Sequence, residues 1–266
     1  MNKRQIPPPV QELPSYFTYW GDIFLSPIAS KVLLPIAVRI PWLTPNMVTI
    51  GGFMLYVLSC IFLFLPFSNH LIWAACLLPL SYILDCLDGQ LARRTKQFSP
   101  IGDYLDKTLD VLKVYVLTLS LGYAVFLSSG NFFSLILALT ACFFFNYRYY
   151  IKLETVLTAS LRDEKYLQKC SDYKKEQFII IKNKLDEYKK TPLGYLYYLW
   201  YRNRLIFFVD EAELVIFTSL GAFFNHLDIT LWVLAISQLV VAVARFFERG
   251  YQVKINSTSL IKPMRR

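Results

Sequence analysis

Apolar residues in this chain run in long blocks, and 46–65, 71–84, 111–127, 130–145, 205–224 and 229–244 are mostly hydrophobic. Each block extends to the roughly 20 residues that a helix needs to cross a bilayer. The segments are too long and too uniform for the core helices of a soluble domain. The pattern predicts an all-α integral membrane protein with six transmembrane helices. Extending the second and third blocks carries them into polar sequence, so helix two is expected to end near Arg94 and helix three to begin near Ile101. Residues 16–40 are aromatic and apolar but are broken by Pro27 and Pro35, which suits one or two interfacial helices along the inner leaflet. A seventh crossing there would put the N-terminus outside, against the distribution of charge. The expected organisation is a leader and interfacial helix over 1–42, a six-helix domain over 43–250 with a polar cytoplasmic insertion at 154–203, and a basic tail over 251–266.

Composition agrees with a membrane protein, because 55% hydrophobic and 17% aromatic residues exceed the usual content of a soluble domain. Charge then orients the helices. The loops 66–70, 127–131 and 225–228 contain no Lys or Arg, whereas the opposite side collects Lys3, Arg4, Lys31, Arg39, Arg93, Arg94, Lys96, the stretch from Arg148 to Arg204 and the tail from Arg245 to Arg266. Cytoplasmic loops are the ones enriched in cations, so both termini are expected in the cytoplasm. A net charge of +9 distributed on one side of a membrane protein suits anionic lipid headgroups rather than nucleic acid. The start, MNKRQIPPPVQELPSYF, has no apolar core and reads as a retained leader rather than a secretory signal. The insertion is dense in both charge signs and reads as a cytosolic or surface-lying helix or hairpin. Cys60, Cys76, Cys86, Cys142 and Cys170 form no CxxC pair and imply neither disulfides nor zinc.

Against this background the stretch DCLDGQLARRTKQFSPIGDYLDKTLD, residues 85–110, concentrates Asp85, Asp88, Asp103, Asp106 and Asp110 with several cations. At helical spacing Asp85, Asp88, Gly89, Ala92 and Arg93 fall within about 140° of one another on helix two. Gly102, Asp106 and Asp110 recur every four residues on helix three, and Lys113 returns to the same face. The short connection TKQFSP is expected to make the two helices antiparallel neighbours, with Pro100 in the first turn of helix three. Four facing carboxylates repel strongly unless a cation compensates them. Divalent metal is the natural compensator, and oxygen-only ligation favours Mg²⁺ or Mn²⁺ over zinc. Two such ions held by paired aspartates suit the binding of a diphosphate and displacement at phosphorus. Gly89 and Gly102 leave room for a phosphate or a close backbone, and Arg93 supplies a fixed cation for phosphate oxygen. A purely structural alternative pairs the aspartates with Arg93, Lys107 and Lys113, but more carboxylates face the site than that role requires.

The order Asp85-x2-Asp88-Gly89-x2-Ala92-Arg93-x8-Gly102-x3-Asp106-x3-Asp110 resembles the signature of the CDP-alcohol phosphotransferases, with all eight positions matched. LTPNMVTIGG, residues 43–52, is similar to that family's lead-in to its first transmembrane helix. The resemblance is sharp over about residues 43–113. It implies that Asp85, Asp88, Asp106 and Asp110 hold two divalent ions and that Asp110 also takes the proton of an acceptor hydroxyl. It further implies that Asp88, Gly89, Ala92, Arg93 and Gly102 border the CDP group. The implied reaction is transfer of a phosphoalcohol group, such as phosphatidyl from CDP-diacylglycerol, with release of CMP.

Implied partners are CDP-diacylglycerol or another CDP-alcohol, a small polar or lipid acceptor alcohol, membrane lipids, and a second copy of the chain as a homodimer, with no nucleic acid. Acceptor or lipid candidates are Lys113, Arg148 and Lys152, with Asp210 and Glu213 as i, i+3 neighbours about two turns into helix five; Asn146, Tyr149, Arg204 and Glu211 stand at the same helix ends. A plain ion pair with Arg148 or Arg204 is an equal reading of Asp210 and Glu213. Two other classes use related chemistry. Intramembrane prenyltransferases bind Mg²⁺-diphosphate but usually carry their aspartate motifs far apart, and a cation transporter should show broken helices or inverted repeats.

Overall fold

The computed structural model describes residues 24–169, 172, 191–194 and 210–255 of the chain. The described residues are helical and contain no strand. They form a short helix α1 (Ser26–Ala37), then α2 (Pro45–Phe62), α3 (His70–Thr95), α4 (Pro100–Ser129), α5 (Phe133–Arg162), α6 (Glu211–Phe223) and α7 (Leu227–Ile255). Four of these, α2, α3, α4 and α7 over Leu227–Tyr251, are long and apolar enough to cross a membrane. The leader and the tail beyond 255, together with Arg204 and Cys170, lie outside the described residues.

Local sequence explains the boundaries around the polar stretch. Thr44 is the N-cap of α2, its backbone extended and its hydroxyl accepting from the Met47 N–H at 3.3 Å, with Pro45 in the first turn. Ser99 does the same for α4, accepting from the Gly102 N–H at 3.0 Å ahead of Pro100. Between them α3 ends where Lys96 turns left-handed at φ 55°, its N–H and that of Gln97 both bonded to the Ala92 carbonyl. The ends expected near Arg94 and Ile101 therefore fall one residue away, at Thr95 and Pro100.

Three boundaries differ from expectation. Helix α5 runs unbroken to Arg162, through the start of the region assigned to the polar insertion. Helix α7 likewise continues past residue 250 to Ile255. Helix α6 begins at Glu211, with Asp210 in extended backbone as its N-cap, so Asp210 and Glu213 are not two turns inside a helix. The Glu213 carboxylate instead accepts from the Asp210 N–H at 3.3 Å, the reciprocal arrangement that starts helices elsewhere.

Two compact units result, one from 24–142 and 210–236, the other from 143–169 and 237–255 among the described residues. In the first, α1 rests on α2 and α3 through a cluster of Ala29, Ala37, Val48, Ile83, Leu87 and Leu91, while Ile28, Val32 and Ile36 form an exposed apolar stripe at four-residue spacing. That stripe is what an interfacial helix presents to lipid. Helix α2 packs against both α3 and α4, and so does α6. Helices α3 and α4 are antiparallel neighbours that meet through side chains: Lys113 of α4 bonds Asp85 of α3, and Asp106 lies near Asp88. Farther along, α4 and α5 come close: a Cβ at Gly122 would lie 2.3 Å from the Ala138 Cβ. Small residues at such crossings are the usual basis of helix packing in lipid. In the second unit Ala159 packs with Tyr166.

Candidate active site

Asp85 and Asp88 lie about three turns and two turns before the end of α3, and Asp106 and Asp110 lie roughly 9 and 15 Å along α4 from its start. The structure brings them together in two overlapping groups. Carboxylate oxygens of Asp85, Asp88 and Asp106 lie within 4.8 Å of one another, as do those of Asp85, Asp110 and Glu211. Asp85 belongs to both. The donors are all oxygen, and hard divalent cations such as Mg²⁺ and Mn²⁺ prefer such ligands, so the residues present fit the expected metal chemistry.

Neighbouring helices hold these carboxylates in place. Asp88, 6% exposed, accepts at one oxygen from the Thr49 hydroxyl of α2 at 2.6 Å and at the other from the Gly89 N–H. The Arg93 guanidinium lies over Gly89, with Nη1 3.3 Å from where a Cβ would stand. A Cβ at Gly102 would lie 2.8 Å from the Asn46 Oδ1 of α2, so the bare backbone lets the starts of α2 and α4 meet. LTPNMVTIGG thus contributes more than a helix start: Thr44 caps, Asn46 meets Gly102 and Thr49 orients Asp88. Sequence reasoning had read the stretch only as a lead-in and missed Asn46 and Thr49. Their chance of detection lay in that same motif.

Lys113 is the strongest feature beyond the aspartates. It is 4% exposed, and its ammonium bonds Asp85, reaches Asp110 at 2.9 Å and Glu211 at 3.2 Å. Glu211 opens α6 and was noted in the sequence only as one helix-end candidate among several. The one available hint was Lys113 itself, since an ammonium within an apolar helical stretch needs an anion. Asp103 stands apart, paired with Lys107 on an exposed face at 2.7 Å. Arg148 and Lys152 belong to the second unit, where Arg148 stacks over Phe145 at 4.7 Å and Lys152 lies 5.8 Å from the Tyr149 ring centre.

Carboxylate oxygens gathered from consecutive helices are a donor set that could hold divalent ions. Residues 42–173 match the family model for CDP-alcohol phosphatidyltransferase, so this stretch carries a domain of that family. The chain is 40% identical over 70 residues to an archaetidylinositol phosphate synthase of Pyrococcus horikoshii, covering 26% of this chain and 36% of that protein. It is 31% identical over 99 residues to cholinephosphotransferase 1 of Gallus gallus, covering 34% and 29%. These alignments span about a third of each relative's length. The fold is similar to that of Mycobacterium tuberculosis phosphatidylinositol phosphate synthase with CDP-DAG bound, at a TM-score of 0.52 and 18% identity over 85% of this chain and 94% of that one. Nothing in these matches favours the prenyltransferase or transporter readings.

Proposed function

We propose that this protein transfers a phosphoalcohol group, phosphatidyl in the favoured case, from CDP-diacylglycerol or another CDP-alcohol to an acceptor hydroxyl in phospholipid synthesis. The observation that carries the proposal is the convergence of the signature carboxylates Asp85, Asp88 and Asp106 from two helices, with Asp110 joined to them through Asp85. Asp85, Asp88, Asp106 and Asp110 would hold two divalent ions, Mg²⁺ or Mn²⁺, which supply charge compensation for the diphosphate. Gly89, Ala92, Arg93 and Gly102 border the CDP group with Asp88, and Arg93 meets phosphate oxygen with its planar fork. Asp110 takes the proton of the acceptor hydroxyl, whose oxygen forms a new bond to the phosphorus on the alcohol side. The bond from that phosphorus to the bridging oxygen breaks, and CMP leaves with the bonding pair.

The same reading places the site at the cytoplasmic face of six crossings, with α1 in the interface and both termini inside. The four apolar helices and the one-sided cations support it. Membrane lipids surround the chain, and a homodimer is part of the proposal. Arg148 and Lys152 are the cations offered to a phosphorylated acceptor. The relatives named for inositol phosphate and for choline differ in the alcohol, so the acceptor has to be found by experiment. A screen of water-soluble alcohols against CDP-diacylglycerol, and of diacylglycerol against small CDP-alcohols, is read by CMP release. One donor and acceptor pair is expected to stand out; absence of CMP with every pair would overturn the proposal.

A further inference from the structure

Lys113 takes up Asp85, the carboxylate shared by the two acidic groups, together with Asp110 and, from a different helix, Glu211. The ammonium donates hydrogen bonds to Asp85 and Asp110 and forms an ion pair with Glu211 at 3.2 Å. Asp85 and Asp110 cannot give the same oxygens to this ammonium and to a divalent ion without bringing two cations into close repulsion. Glu211 differs from the other two. It lies outside residues 42–173 and outside the signature motif, and it opens α6, where the helix dipole favours a carboxylate. Beside these charges the Tyr56 hydroxyl is buried without a hydrogen-bond partner, a spare polar group for an ammonium that shifts.

We infer that Lys113 is a built-in counter-cation, holding Asp85 and Asp110 together until metal binds, and that Glu211 is the positioning residue that receives its ammonium when metal takes their oxygens. The inference rests on the two-ion reading of the aspartates. Without Glu211 the ammonium stays on Asp85 and Asp110 and competes with metal. Without Lys113 that competition vanishes. The two substitutions therefore change metal affinity in opposite directions, which a merely structural role for the cluster does not do.

The test is Mn²⁺ binding to the full chain in detergent, by calorimetry or by loss of the free-ion paramagnetic resonance signal, with no substrate present. Glu211→Gln is expected to weaken binding by about tenfold, as removal of partners behind metal ligands does. Lys113→Gln is expected to tighten binding, and Glu211→Gln added to it should have no further effect, because the glutamate acts through the lysine. Unchanged affinity in Glu211→Gln, or weaker binding in Lys113→Gln, overturns the inference while leaving the metal reading in place. Absence of Mn²⁺ binding by the unsubstituted chain overturns both. Should Lys113→Gln fail to fold, Glu211→Gln against Glu211→Asp decides: the aspartate should recover part of the Mn²⁺-induced rise in Tm, and equal loss in both contradicts the role.

Discussion

The two ends of the helices α2, α3 and α4 bury polar groups in different ways. Toward the far end, Ser59 donates to the Ala74 carbonyl at 3.0 Å, Thr118 to the Val114 carbonyl at 2.7 Å and Ser134 to the Gly122 carbonyl at 3.3 Å. These groups are neutral, and each hydroxyl has a backbone acceptor, which is how polar side chains are accommodated in a membrane protein. At the other end Asp85, Asp110 and Glu211 meet the buried ammonium of Lys113, and Asp88 and Asp106 cluster with Asp85. Carboxylates are in excess there, and packing alone gives no reason to keep them so close. Polar groups that serve the fold satisfy one another, whereas an unbalanced set marks a place for something the chain does not itself supply.

Substitution within the unbalanced set should give the largest effects. Asp110→Asn is expected to lower turnover by at least about 10²-fold, the usual cost of losing a general base. Binding of the CDP-alcohol should survive better in it than in Asp85→Asn or Asp88→Asn, as measured by nucleotide titration. Equal loss of binding in all three would make Asp110 a ligand with no separate role as base. At the balanced end, Gly122→Ala forces α4 and α5 apart at a 2.3 Å contact and is expected to cost roughly 1–3 kcal/mol, seen as a lower Tm with normal turnover below it. The same substitution abolishing turnover in a folded protein would break the division between the two ends. Thr49→Val lies on the boundary. It removes one hydrogen bond to Asp88 and should cost about 1 kcal/mol, read as a modest loss in kcat/KM with little change in Tm.

How far the sequence anticipated this division follows from distance along the chain. Asp85 to Asp110 occupy one short stretch, so helical spacing was enough to put them on facing surfaces, and Ser99-Pro100 marked the start of α4. Thr49 and Asp88 are 39 positions apart, and no periodicity links them. Glu211 is more distant still, and its meeting with Lys113 depends on how α6 packs against α3 and α4. Asp210 and Glu213 show the opposite failure. Their spacing is that of a helix-capping pair, a local signal that was legible, but two acidic residues in an apolar region were read for chemistry first. The full length of α5 was hidden because its apolar block ends near residue 145 while the helix continues through polar sequence.

The account stands or falls on whether the carboxylate end works through divalent ions. CMP release from CDP-diacylglycerol, followed with the matched acceptor in Mg²⁺ or Mn²⁺ and again in excess EDTA, measures this directly. Activity should vanish in the chelator and return when either ion is restored; undiminished CMP release in EDTA would contradict the account.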